Sequence, residues 1–128
     1  MKQTSNMKKK NKACLKKELW EMCASTLSEK KVADLVVLDM RELNAFADIF
    51  VIASGQSTRQ ACSLGEHMIY CLREEGIRPL GVEGLKSGRW VLVDYGDTVV
   101  HIFHEPIREF YDLEGLWSDA KRVALTAL

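Results

Sequence analysis

What this sequence lacks narrows it first. It has no uninterrupted apolar run of the ~18 residues that a membrane-spanning helix needs. Its opening stretch, MKQTSNMKKKNKAC, has lysines but neither the apolar core nor the small-residue cleavage site of a secretory signal, and too little arginine for a mitochondrial presequence. A cytoplasmic protein is therefore expected. The four cysteines, at 14, 23, 62 and 71, never come as Cys-x-x-Cys, so zinc-ribbon and dithiol redox chemistry have no spacing to work with. Nine residues of helix put Cys62 and Cys71 on opposite faces, and the four read as idle or buried thiols of a reducing compartment.

Acid is missing from residues 1 to 17, which carry seven lysines, and this makes the net charge of zero misleading. From residue 18 onward, 11 basic groups face 18 acidic ones, so the body stands at −7. Such a body repels a phosphate backbone and suits a basic protein surface. No sequence-specific nucleic-acid contact is expected. Residues 1–12 read as a flexible lysine-rich leader, and 128 residues with 47% apolar content leave room for one domain, 13–128.

Periodicity supplies the elements. Leu15, Leu19, Met22, Cys23 and Leu27 lie on one helical face. Val32–Met40 and Asp48–Ser54 are β-branched runs too short for buried helices, and the seven residues between them cannot hold a crossover, so the two strands are expected to be antiparallel neighbours. Ser57-Thr58-Arg59-Gln60 is a capping box. The helix it opens has Ala61, Leu64, Met68 and Leu72 on its apolar face, Gly65 for close approach to the sheet, and Gly76 as its left-handed stop. Leu80–Gly84 forms a third strand, running parallel to the second. WVLVDYGDTVVHIF, residues 90–103, is a hairpin of two more strands, and Pro106 starts a terminal helical segment through Phe110, Leu113, Leu116 and Trp117. The expected fold is a single α/β domain, with a mixed five-stranded sheet flanked by helices.

Three chemical candidates fail on geometry. Gly84-Leu85-Lys86-Ser87-Gly88 has Lys-Ser beside glycines but no glycine immediately before the lysine and no following helix, so it is a hairpin turn and not a phosphate loop. Ala53-Ser54-Gly55-Gln56-Ser57 resembles the glycine-serine turn of nucleotidyltransferases, yet no Asp-x-Asp or Asp-x-Glu pair follows to hold a divalent metal. His101 and His104, three apart on a strand, face opposite sides and cannot share a metal. No cofactor, metal or catalytic set is expected.

The hairpin remains, as a surface. Alternation puts Trp90, Leu92 and Asp94 on one face and Val91, Val93 and Tyr95 on the other. Aromatic groups flanked by carboxylates are the anchor-and-rim mixture of protein interfaces. The candidate partner-contact residues are Trp90, Leu92, Asp94, Tyr95, Asp97 and His101, with Trp90 and Tyr95 as anchors.

These blocks carry a resemblance. Asp-x-Phe-Val-Ile-Ala-Ser-Gly at 48–55, Val-Glu-Gly at 82–84, Trp-Val-Leu-x-Asp-Tyr-Gly-Asp at 90–97, Val-His-Ile-Phe at 100–103 and Tyr-Asp-Leu-Glu-x-Leu-Trp at 111–117 resemble, in order, the ribosomal silencing factor (Iojap-related) family over Ala33 to Trp117. Val93 stands where that family usually has leucine, and the lysine-rich leader is outside the pattern. The resemblance implies a nucleotidyltransferase-like fold without the catalytic acids. It also implies binding to the large ribosomal subunit through ribosomal protein L-fourteen, a block on small-subunit joining, and repression of translation when nutrients are short. A homodimer of the free protein is expected from the same resemblance. The alternatives are a residual nucleotide-binding or nucleotidyltransferase-like enzyme at the Ser54–Ser57 turn, and an adaptor for large-subunit assembly.

Overall fold

The computed structural model describes residues 18–30, 32–43 and 45–125. The leader at 1–12 and the helical position Leu15 lie outside them. The chain runs α1 (Leu19–Glu29), β1 (Ala33–Asp39), a 3-10 turn (Arg41–Leu43), β2 (Ile49–Gly55), α2 (Thr58–Glu74), β3 (Gly81–Glu83), β4 (Trp90–Asp94), β5 (Thr98–His104), α3 (Glu105–Tyr111), α4 (Leu113–Leu116) and β6 (Lys121–Arg122). The sheet order is β3-β4-β5-β2-β1-β6.

Among the described residues six strands, not five, make the sheet. The extra one is β6, which pairs antiparallel with β1 through Leu38 and Asp39 and is extended by the Val123 amide donating to the Val37 carbonyl at 2.9 Å. A two-residue strand carries no periodicity, so it leaves no trace in the sequence. The other pairings follow expectation: β1 and β2 are antiparallel, as are β4 and β5. β2 and β5 form the parallel pair at the centre, fully in register from Ile49–Thr98 to Gly55–His104. Because β4 is antiparallel to both β5 and β3, strand β3 runs in the direction of β2, with two strands between them.

Helix α2 starts and stops where its chemistry says. The Ser57 hydroxyl accepts from the Gln60 amide at 3.0 Å, and the Gln60 side chain reaches back one residue further than a capping box requires, to the Gln56 amide. At the other end the Ile77 amide donates to the Leu72 carbonyl and the Gly76 amide to Arg73, a Schellman motif with Gly76 at φ +83°. Ala61, Leu64, Met68 and Leu72 are all buried against the sheet, and a Cβ on Gly65 would press on Val91 at 3.0 Å. The β3–β4 turn is the hairpin expected. Gly84 there has φ +84°, and a Cβ on it would strike the Trp90 carbonyl.

Two apolar layers result, one on each side of the sheet. Beneath α1 and α2 lie Val37, Val51, Ala53, Val91, Val93, Tyr95, Val100 and Ile102. On the opposite side Leu38, Met40, Phe50, Ile52, Val99 and Phe103 are covered in part by Ile107, Leu113 and Trp117 from the terminal segment. That segment is two short helices rather than one. Asp112 breaks it at φ +47°, and its carboxylate then caps α4 by accepting from the Gly115 amide at 3.1 Å.

Candidate functional site: the hairpin face of the sheet

The β4–β5 hairpin divides its candidate residues between the two layers. Val91 and Val93 are fully buried under α2, and Tyr95 follows them inward at 8% exposure. Tyr95 is therefore a core residue and presents no anchor to a partner. Its hydroxyl has no hydrogen-bond partner among the described residues, and burial pushes its ionisation well above the usual phenolic range. Nearby Cys23, buried in the same layer, has its thiol pushed up to about 12 by desolvation first and by the charge of Asp97 second. It is an inert thiol.

Trp90, Leu92 and Asp94 point the other way and are half-buried. Asp94 turns its carboxylate onto the Gly96 amide at 2.8 Å, an Asx-type turn that shapes the bend. Asp97 at the tip is exposed, while its carbonyl holds the start of β2 through the Asp48 and Ile49 amides at 2.8 and 3.0 Å. The two aspartates thus build the turn, and Asp97 also offers its charge to solvent.

His101, opposite Leu92 in the ladder, is only 3% exposed and makes no surface contact of its own. Its Nδ1 accepts the indole N–H of Trp90 at 3.1 Å. Its ring meets Phe50 edge-on at a 4.7 Å centroid distance, and Nε2 is buried without a partner among the described residues. Desolvation pushes its pKa down to about 4, so the ring is neutral. Trp90 in turn packs on Phe103 at 4.8 Å and on Tyr111 of α3 at 5.0 Å.

Around this centre lie large apolar groups that a core-seeking reading of the sequence passes over. Phe46 is 77% exposed, Phe110 79%, Leu116 73% and Tyr111 53%. Phe46 touches Phe50, Trp117 meets Phe50 edge-on at 6.2 Å, and Phe110 meets Tyr111, so Phe46, Phe110 and Tyr111 continue the layer that holds Trp90, while Leu116 lies on the adjoining α4. An apolar surface of this extent marks a docking site more often than a solvated face. The terminal segment is pinned from below by Arg108, 8% exposed, whose Nη1 donates to the Ser54 hydroxyl at 2.7 Å and whose Nε and Nη2 grip Glu114 at 2.8 and 2.9 Å. The hydrogen bonds from Arg108 hold the Glu114 carboxyl below its ordinary range. The serine of the nucleotidyltransferase-like turn is thereby taken up in structure, and among the described residues no three His, Cys, Asp or Glu side chains gather for a metal.

Residues 14–128 match the family model described as "Ribosomal silencing factor during starvation". The chain belongs to the ribosomal silencing factor family. A ribosomal silencing factor from Halalkalibacterium halodurans is 38% identical over 108 residues, covering 84% of this chain and 92% of the relative. The crystal structure of a Chromobacterium violaceum protein superposes with a TM-score of 0.75 at 33% identity, covering 88% of this chain and 95% of that one. A mouse protein named for mitochondrial assembly of the ribosomal large subunit is 30% identical over 101 residues, 77% of this chain and 44% of the mouse protein. The blocks Val-Glu-Gly, Trp-Val-Leu-x-Asp-Tyr-Gly-Asp and Val-His-Ile-Phe that carried the resemblance thus lie on β3, on β4 with its turn, and on β5, and Tyr-Asp-Leu-Glu-x-Leu-Trp is the segment that flanks Trp90. No described helix is long and apolar enough to cross a membrane.

Proposed function

We propose that residues 13–128 form a docking domain that binds the large ribosomal subunit through ribosomal protein L-fourteen, and by its bulk keeps the small subunit from joining, so that translation is restrained when nutrients are short. The observation that carries this reading is the face just described: half-buried Trp90 and Leu92, bordered by exposed Phe46, Phe110 and Tyr111. Its aromatic centre supplies the desolvated contact from which interfaces draw most of their affinity. The −7 charge of residues 18–128 steers that face toward a basic protein surface. The domain acts by occupancy and needs no cofactor. It works in the cytoplasm, where ribosomal subunits are.

A role in large-subunit assembly is the second reading, favoured by the mouse relative's name. A nucleotidyl-transfer role is disfavoured because Ser54 is committed to Arg108. In the free protein the same apolar face pairs two copies, which undocking from the dimer makes available to the ribosome. Sedimentation of purified subunits with added protein tests the whole reading. Co-migration with large subunits and loss of joined ribosomes support it, whereas joined ribosomes at saturating protein contradict silencing and leave assembly as the role.

A further inference from the structure

His101 lies where a docking partner cannot reach it, yet it touches the residue at the centre of the docking face. Trp90 sits on β4 with its ring packed against Phe103 and Tyr111, centroid to centroid at 4.8 and 5.0 Å, contacts that do not by themselves choose which edge of an indole faces inward. The choice is made by Nδ1 of His101, which accepts the indole N–H at 3.1 Å. An accepting Nδ1 has a free lone pair, so the proton of the neutral ring is on Nε2. Nε2 is buried with no partner among the described residues, at 3% exposure of the residue. A buried donor left unmade is unfavourable, so an apolar ring would fill this space at lower cost if packing were the only requirement. What an apolar ring lacks is the acceptor for Trp90.

We propose that His101 is a positioning residue of the docking face: through Nδ1 it fixes the indole of Trp90 in one orientation, and so sets the surface that the large subunit meets. The proposal rests on the docking reading for its second half only. Phe50 on the far side and Phe103 beside it hold the imidazole in place, with centroid distances of 4.7 and 6.3 Å. Without the acceptor, the indole N–H faces either an apolar wall or, after the ring turns over, solvent. In the second case the apolar edge now facing outward is lost from the interface.

The test compares the wild-type protein with His101→Leu, which removes the acceptor, and His101→Asn, whose side-chain oxygen stands where Nδ1 stood. Nitrogen-proton NMR of the free wild-type protein at neutral pH is expected to show His101 as the Nε2–H tautomer and the Trp90 indole proton protected from exchange. His101→Leu should lose that protection and weaken large-subunit binding about tenfold, the factor for one hydrogen bond's worth of orientation. His101→Asn should restore most of both. A cationic or Nδ1–H imidazole in the wild-type protein overturns the proposal, even if neither variant folds. A folded His101→Leu protein that binds as tightly as wild type overturns it as well. Absence of large-subunit binding by the wild-type protein would instead sink the docking reading, and the NMR arm would still decide how Trp90 is held.

Discussion

Arg108 on α3 reaches across 54 positions of sequence to donate a 2.7 Å hydrogen bond to Ser54 at the end of β2, while its other nitrogens grip Glu114. This one guanidinium ties the terminal helices to the sheet, and so holds the segment bearing Tyr111 and Trp117 against the docking layer. Arg108→Met leaves Glu114 with only the longer ion pair to Arg122, at 3.7 Å, and Ser54 without its donor, and loss of such a partly buried charge-assisted pair typically costs about 1–3 kcal/mol. Urea unfolding should register a loss of that order, with Glu114→Gln losing less because the amide keeps one acceptor for Arg108.

The same pair gives acid sensitivity. Glu114 has its folded pKa lowered by Arg108, so its contribution is present above the unfolded carboxyl value and disappears as pH falls through the lower, folded one. Stability measured below pH ~4.5 should therefore fall less steeply in Glu114→Gln than in wild type.

His101 acts at higher pH. Its folded pKa of about 4 lies beneath the unfolded value of 6.5. Between those values the unfolded chain binds a proton that the folded protein does not, so the neutral ring's contribution is complete above 6.5 and lost as pH falls to 4. The loss amounts to roughly 3 kcal/mol over that window. Denaturation midpoints from pH 7 down to 4 should show it in the wild-type protein and much less of it in His101→Asn.

Tyr95→Phe removes a buried hydroxyl that has no partner among the described residues, and is expected to leave stability unchanged or raise it by about 1 kcal/mol. Tyr95→Ala opens a cavity beside Cys23 and should cost about 3–5 kcal/mol. Thermal melts of the two variants separate a core tyrosine from a surface one, for which both changes would be small.

The sequence made the frame legible wherever local chemistry decides the outcome. Ser57 and Gly76 mark the ends of α2, and alternation in β4 separates Trp90 and Leu92 from Val91 and Val93. Alternation does not say which of two faces the helices cover, and this is why Tyr95 reads equally well as an anchor and as core. Arg108 reads as a surface charge because its partners, Ser54 and Glu114, come together only through the tertiary fold. His101 is seen as a contact residue in the sequence and as a support for one in the structure. The exposed groups of the docking face, Phe46 and Phe110 among them, carry no pattern, since nothing in periodicity separates an apolar residue awaiting a partner from one turned inward.

The central claim is that the layer carrying Trp90 and Leu92 is the surface that meets the large subunit. Its most direct test is the affinity of purified large subunits for the Leu92→Arg, Asp97→Lys double variant. Tyr70→Arg serves as the control, an exposed position of α2 across the sheet. The double variant keeps the Asp94 turn but sets two positive charges against a basic partner, so binding should fall at least thirtyfold, about 2 kcal/mol, with the circular dichroism of the fold retained. Tyr70→Arg should bind as wild type does. A folded double variant that holds large subunits with wild-type affinity would contradict the account.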